Sequence, residues 1–123
     1  MQTILIVDDE PAFLDILEMI LRRAGYTVLS ASDGAQALQI VASRPVDLVL
    51  IDDMLPHISG GEVCQIIKDE PTLAHIPVIL FSAGARVRDQ QFIRRIGADG
   101  TLLKPFRPDE VIHLVQSFVG APV

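Results

Sequence analysis

Acidic side chains follow two short apolar runs of the chain. Asp8 and Asp9 come directly after residues 4–7, and Asp52 comes directly after residues 48–51. Short apolar runs bounded by turn residues are typical of buried strands in a parallel sheet, whose carboxyl ends share one edge. We therefore expect the three carboxylates to lie close together. Because such a cluster is costly unless a cation compensates it, the pattern predicts a binding site.

Two further apolar runs lead to a hydroxyl and an ammonium group. Residues 78–81 precede Ser82, and residues 101–103 precede Lys104. In an open doubly wound sheet, ligands bind outside the carboxyl ends of the strands, where the strand order reverses. With strand order 2-1-3-4-5 the reversal falls between strands one and three, which carry the acidic residues. The sheet rule and the acid pattern thus indicate the same place.

Carboxylates without a histidine or cysteine partner form a hard oxygen site suited to Mg²⁺ or Mn²⁺. Mg²⁺ keeps several waters and usually shares its coordination with phosphate oxygens, which favours phosphoryl chemistry. An aspartate can act as a nucleophile and form an acyl phosphate when a metal and a cation compensate the incoming charge. Lys104 and Ser82 would supply that cation and a hydroxyl.

The elements that must position these residues alternate along the chain. Five strand-like runs and five helix-like segments predict a doubly wound α/β fold with a five-stranded parallel sheet and helices on both faces. We expect strands near 3–7, 26–30, 47–51, 77–81 and 100–103. Helix signals are found from Pro11, from the capping cluster at residues 32–34, after residues 59–61, over 86–96 and from Pro108.

Length and composition limit the class of protein. The 123 residues predict a single domain over 1–123, and no apolar run is long enough for a transmembrane span. The first residues lack the pattern of a secretory signal, so we expect a cytoplasmic protein with no membrane contact. Cys64 is the single cysteine, and we expect a buried free thiol.

Charge argues against direct nucleic-acid binding, because the net charge of −6 would repel phosphate. One segment is locally basic, and it forms either a solvated helix face or a docking surface; it contains Arg86, Arg88, Arg94 and Arg95. Three histidines lie on separate segments without metal-ligand spacing, and we expect structural or exposed roles for His57, His75 and His113.

In their order and spacing, the residues of the predicted site resemble the receiver domains of two-component response regulators, the CheY-like superfamily. The resemblance covers nearly the whole chain. It is carried by Asp8-Asp9, residues 47–56 with Gly60, Ser82-Ala83, residues 97–99 and residues 104–106. It implies a flavodoxin-like fold and a signalling switch that catalyses its own phosphorylation and dephosphorylation, rather than an enzyme acting on other substrates.

The resemblance also implies roles for the site residues. Asp52 would accept a phosphoryl group from a phosphohistidine on a sensor histidine kinase or a histidine phosphotransfer protein. Mg²⁺ would be held by Asp9, Asp52 and the main-chain carbonyl of Met54, with Asp8 acting mostly through a bound water.

The remaining implied roles concern the residues that follow the fourth and fifth strands. Lys104 would pair with a phosphoryl oxygen, and the Lys104–Pro105 peptide would be cis. Ser82 would hydrogen-bond another phosphoryl oxygen and bias a rearrangement of the fourth helix and fifth strand. A homodimer through the fourth and fifth helices is a further expectation.

Two positions depart from the family pattern. Thr101 stands where receivers usually carry the aromatic residue that turns inward on activation, and Phe81 or Phe106 is a candidate substitute. Asp53 stands where the family often has an apolar residue; its carboxylate would either tune metal affinity or point to solvent.

Two other functions remain as alternatives. Thr101 favours an interaction module that keeps the fold but works without phosphorylation. A Mg²⁺-dependent phosphatase acting through an aspartyl phosphate is less favoured, because enzymes of the haloacid-dehalogenase type use Asp-x-Asp after the first strand. This chain has Asp8-Asp9-Glu10 there.

Overall fold

Five parallel strands form one sheet in the order β2-β1-β3-β4-β5, which confirms the predicted topology. The computed structural model describes residues 2–121. The strands are β1 Thr3–Val7, β2 Thr27–Ala31, β3 Leu48–Asp52, β4 Val78–Ser82 and β5 Gly100–Leu103. The helices are α1 Pro11–Arg23, α2 Gly34–Ser43, α3 Gly60–Asp69, α4 Gln90–Ile96 and α5 Pro108–Val119, with a 3₁₀ turn at Ala85–Arg88.

Three strands begin and end one residue later than the hydropathy pattern predicts. Tyr26, the expected first residue of β2, instead donates its backbone N–H to the carbonyl of Leu21 at 3.1 Å and closes the end of α1. At the other end, Asp52 and Ser82 are the last residues of β3 and β4 and pair in register with Phe81 and Leu103. The sheet ladder therefore fixes the backbone of both predicted site residues.

The sheet separates two apolar cores. Alternate residues of the central strands face α2, α3 and α4 on one side, where Val49, Ile51 and Leu80 pack with Ile67 and Phe92. The intervening residues face α1 and α5 on the other side; Ile6, Leu50 and Phe81 pack there with Leu17 and Val115. Because both faces are covered, the central strands are continuous apolar runs rather than alternating ones.

The fourth helix differs from its prediction. A single helix over 86–96 was expected, but the chain forms the 3₁₀ turn first and begins α4 only at Gln90. Asp89 is the reason, because its backbone is extended and its carboxylate accepts the N–H groups of Gln91 at 3.0 Å and Phe92 at 3.2 Å. An aspartate in that position starts a helix rather than continuing one.

The buried free thiol expected at Cys64 is confirmed. Cys64 is fully buried, its thiol donates to the carbonyl of Ile96 at 3.4 Å, and burial raises the pKa of that thiol to about 12. Within residues 2–121, none of the helices is long and apolar enough to cross a membrane.

Candidate functional site

The three predicted carboxylates meet at the carboxyl edge of the sheet. Asp8 follows β1 and is fully buried, Asp52 ends β3 and is 4% exposed, and Asp9 is exposed to solvent. One oxygen from each of the three lies within 4.8 Å of the others. The clustering predicted from the sequence is therefore confirmed, and the oxygen-only donor set fits a hard divalent cation.

Lys104 bridges the two buried carboxylates. Its Nζ lies 3.0 Å from Asp8 Oδ2 and 3.2 Å from Asp52 Oδ2. The same ammonium lies 4.1 Å from the ring centroid of Phe13 and 5.2 Å from that of Phe81. Burial would lower the pKa of Lys104, but its hydrogen bond to Asp8 and the charge of Asp52 outweigh burial and leave the pKa raised. The lysine is thus held as a cation.

Backbone turns orient both carboxylates towards Lys104. The N–H of Glu10 donates to Asp8 Oδ1 at 2.9 Å, and the N–H of Met54 donates to Asp52 Oδ1 at 3.0 Å. Each carboxylate therefore gives one oxygen to its own turn and the other to the lysine. Within the described residues 2–121, the carboxylate of Asp9 makes no such hydrogen bond or ion pair and stays available to a ligand.

Ser82 and Met54 complete the predicted set at the same cleft. Ser82 is 2% exposed, and its Oγ accepts the N–H of Gly84 at 2.9 Å. A cleft of about 400 Å³ opens above Asp52 and is lined by Glu10, Asp52, Met54, Ser82, Ala83, Gly84 and Lys104. A cleft of this size and lining has room for a phosphoryl group against a carboxylate, a hydroxyl and an ammonium.

Phe13 and Glu10 belong to the site but were not predicted as members. The sequence places Phe13 in the apolar stripe of α1, yet its ring also packs against Phe81 at 5.5 Å and Phe106 at 5.8 Å, beside Lys104. A cation near an aromatic face is stabilised by the ring quadrupole. The sequence signal for this contact was Phe13 itself, an aromatic residue in the first turn of α1, shortly after Asp8 and Asp9.

The peptide between Lys104 and Pro105 is cis, as the resemblance implied. Thr101, in place of the expected aromatic, is exposed on β5. Phe81 is buried and Phe106 partly buried, and their rings lie 6.0 Å apart. All three histidines are exposed, and His57 has a positive φ of 68°.

Asp53 does not point to solvent, so that alternative is wrong. It is 2% exposed, accepts the N–H of Gly61 at 3.0 Å and pairs with Arg86 Nε at 3.4 Å. Successive side chains at a strand end point to opposite sides, so Asp53 faces α3 while Asp52 faces the cleft. Arg86 of the basic segment is accordingly not a purely solvated residue.

Fold and site together define a class of signalling protein. The family model "Response regulator receiver domain" matches residues 4–116 of the chain. The chain belongs to this family and is a receiver domain of the two-component type.

Individual relatives support the assignment. The chain is 38% identical over 94% of its length to response regulator GtcR of Aneurinibacillus migulanus, of which it covers 47%. It is 31% identical to the polar-differentiation response regulator DivK of Brucella anthropi over 97% of both chains. The chain thus spans about half the length of the first curated relatives it matches, and nearly all of a shorter one.

A solved structure shows the same fold with a metal. The receiver domain of sensor histidine kinase PA1611 from Pseudomonas aeruginosa superposes with a TM-score of 0.87 at 30% identity, with 98% of each chain covered. That structure has a magnesium ion coordinated in its active-site cleft.

Proposed function

We propose that this chain is the phosphoacceptor of a two-component phosphorelay, with Asp52 as the nucleophile and residues 1–123 as a single receiver domain. One observation carries the proposal: Asp52 Oδ2 lies 3.2 Å from Lys104 Nζ at the base of a cleft that Ser82 also lines. The carboxylate is thus presented to the cleft beside a cation that can hold an incoming phosphoryl oxygen.

The transfer is a displacement at phosphorus. A carboxylate oxygen of Asp52 attacks the phosphoryl group of a phosphohistidine, so that an O–P bond forms and the P–N bond breaks. The imidazole leaves with the electron pair and takes up a proton. Lys104 pairs with one phosphoryl oxygen, and the Ser82 hydroxyl donates to another, which orients the group and stabilises its charge. Later hydrolysis of the acyl phosphate resets the switch.

The acidic cluster fits Mg²⁺. Asp9, Asp52 and the main-chain carbonyl of Met54 would hold the ion, and Asp8, already engaged with Lys104, would act through a water. When bound, Mg²⁺ supplies positive charge that reduces the repulsion between the phosphoryl oxygens and these carboxylates. The magnesium in the related PA1611 cleft supports this assignment.

The proposed partners are a sensor histidine kinase or a histidine phosphotransfer protein as donor and a downstream protein as target. The net charge of −6 argues against direct nucleic-acid binding by this domain, although relatives such as the regulator MtrA are named as DNA-binding proteins. Dimerisation through α4 and α5 and a cytoplasmic location stay predictions.

Phosphorylation by a small donor tests the proposal directly. The protein is incubated with phosphoramidate and Mg²⁺, and the intact mass is followed. Wild type should gain the mass of one phosphoryl group, and Asp52→Asn should gain none. Ser82→Ala should slow uptake without abolishing it. Absence of uptake by folded wild type would contradict the proposal.

The exposed Thr101 favours one other candidate, a module that binds its partner without phosphorylation. Partner affinity separates the two functions, because equal affinity of wild type and Asp52→Asn under phosphorylating conditions would support the second.

A further inference from the structure

An ion pair between a buried carboxylate, Asp53, and an arginine whose side chain is 53% exposed, Arg86, lies directly behind the proposed phosphoacceptor position. Asp53 is 2% exposed, and its Oδ2 lies 3.4 Å from Nε of Arg86 in the 3₁₀ turn. The Arg86 guanidinium lies 4.1 Å from the ring centroid of Phe92 in α4. We call this set, Asp53, Arg86 and Phe92, the Asp53–Arg86 junction. It joins the end of β3 to the turn and helix that follow β4.

Gly61 shows how closely the junction is packed. A Cβ at this position would lie 2.8 Å from Cζ of Phe92, 3.2 Å from Asp53 Oδ1 and 3.3 Å from Nη2 of Arg86. The first turn of α3 thus lies against all three members of the junction, and its N–H groups add a favourable field for the Asp53 carboxylate. Arg86 is held by its ion pair with Asp53 and by stacking on Phe92.

The junction is continuous with the segment that carries Ser82. Gly84 donates its N–H to Ser82 Oγ at 2.9 Å, and Arg86 follows two residues later. The Asp53 N–H also donates to the carbonyl of Phe81 at 3.0 Å. When Ser82 moves its Oγ towards a phosphoryl group, the Gly84 N–H loses its acceptor. Residues 83–88 then shift, and the ion pair of Arg86 with Asp53 opposes that shift until it is released.

We infer that Asp53 and Arg86 are positioning residues that hold residues 82–88 in the arrangement of the unphosphorylated protein. Through this contact, phosphorylation of Asp52 is coupled to α4. The inference rests on the proposed function. A contact made only in the unphosphorylated arrangement opposes phosphorylation, and removing it shifts the equilibrium towards the phosphorylated arrangement. In this chain, which lacks the usual aromatic at Thr101, release of Arg86 delivers the signal to Phe92.

The test measures the rate of phosphate uptake from phosphoramidate at saturating Mg²⁺. Arg86→Met removes the charge but keeps an apolar stem against Phe92. Asp53→Asn removes the charge but keeps an acceptor for the Gly61 N–H. Each variant should take up phosphate about fivefold faster than wild type, and the double variant should be no faster than either, because one contact is lost in every case.

Arg88→Met is the matched control. Arg88 lies in the same turn, is exposed and forms no ion pair among residues 2–121, so its variant should react at the wild-type rate. Circular dichroism shows that each variant is folded before rates are compared.

A second measurement follows the coupling itself. Phosphorylation of wild type should increase hydrogen exchange of the backbone amides of residues 86–96, and in Arg86→Met this segment should exchange faster even without phosphate. If Arg86 had a purely structural role, Arg86→Met would lower the overall stability of the protein, and phosphorylation would change hydrogen exchange of residues 86–96 as it does in wild type.

Three outcomes distinguish the explanations. Wild-type rates in Arg86→Met and Asp53→Asn would overturn the inference while leaving phosphorylation of Asp52 intact. Rate changes of opposite sign in Arg86→Met and Asp53→Asn, with a double variant near the wild-type rate, would also overturn it, because that pattern reports only the local electric field at Asp52. Absence of uptake by wild type would instead overturn the proposed function.

Discussion

Lys104 is the residue on which the acidic cluster depends. It is the cation that contacts both buried carboxylates, Asp8 at 3.0 Å and Asp52 at 3.2 Å. Two carboxylates placed this close would repel one another in a site where water screens them poorly. The lysine thus has two functions, since it stabilises the resting fold and, in the proposed transfer, binds a phosphoryl oxygen.

Replacement of Lys104 by methionine should lower the stability of the protein without divalent cations. We expect a loss of about 2 kcal/mol in the free energy of unfolding, less than for a wholly enclosed pair because the lysine side chain is 19% exposed. Mg²⁺ should restore part of the loss, since it compensates the same charges. Urea unfolding in EDTA and in Mg²⁺ measures both effects, and a variant as stable as wild type in EDTA would contradict the prediction.

The same residue predicts a change of stability at high pH. The pKa of Lys104 is raised above its ordinary value of 10.5, so its stabilising effect is complete below that pH and is lost as pH rises through the higher folded value. The stability difference between wild type and Lys104→Met should therefore be constant from pH 7 to about pH 10 and shrink above about pH 10.5. Unfolding curves across this range test the sign, and a difference that grows at high pH would refute it.

At the scale of elements, the sequence was sufficient to predict each structural feature that depends on one continuous run of residues. The order of strands and helices, and the meeting of Asp8, Asp52, Ser82 and Lys104, follow from apolar runs that each end in a polar residue. Strand ends were displaced by one residue because hydrogen bonding, not hydropathy, sets them. The start of α4 was placed too early because Asp89 reads locally as one more polar residue of a helix.

Contacts between distant elements could not be predicted in this way. Asp53 and Arg86 are far apart in the chain, and they come to 3.4 Å because β3 pairs with β4 and the 3₁₀ turn after β4 folds back towards the end of β3. The contact of Lys104 with Phe13 likewise depends on how α1 lies on the sheet. Periodicity indicates which face of an element is buried, but it does not indicate which partner that face meets.

The close approach of the first turn of α3 to the end of β3 should exclude any side chain at Gly60. A Cβ there would overlap the backbone oxygen of Asp52, which cannot move without displacing the side chain proposed as the phosphoacceptor. We expect Gly60→Ala to cost about 3 kcal/mol. Gly100→Ala is the matched control, since the nearest atoms to its Cβ would belong to side chains, the Phe118 ring at 3.3 Å and Ile79 Cγ1 at 3.5 Å. It should cost less than about 1 kcal/mol. Similar losses in both variants, measured by urea unfolding, would contradict this explanation.

At the scale of the whole molecule, one sheet belongs to both cores. Each central strand contributes alternate residues to the face with α2, α3 and α4 and to the face with α1 and α5. Loss of either core would expose apolar residues of strands that the other core still needs. The two faces should therefore unfold together, as is usual for a domain of this size.

Tyr26 offers a probe of that cooperativity, because the chain has one tyrosine and no tryptophan. Tyr26 lies in the core with α1 and α5, and its hydroxyl donates to the carbonyl of Gly120 at 2.9 Å. Ile67→Ala creates a cavity in the opposite core, where Ile67 is fully buried, and should cost about 2–5 kcal/mol. Although the substitution lies across the sheet, Tyr26 fluorescence and far-ultraviolet circular dichroism should shift to the same lower urea midpoint. If the fluorescence midpoint stayed at the wild-type value while the circular dichroism midpoint shifted, the two cores would be separate cooperative units. A structural change in the core that contains α4 would then not reach α1 and α5 through the sheet.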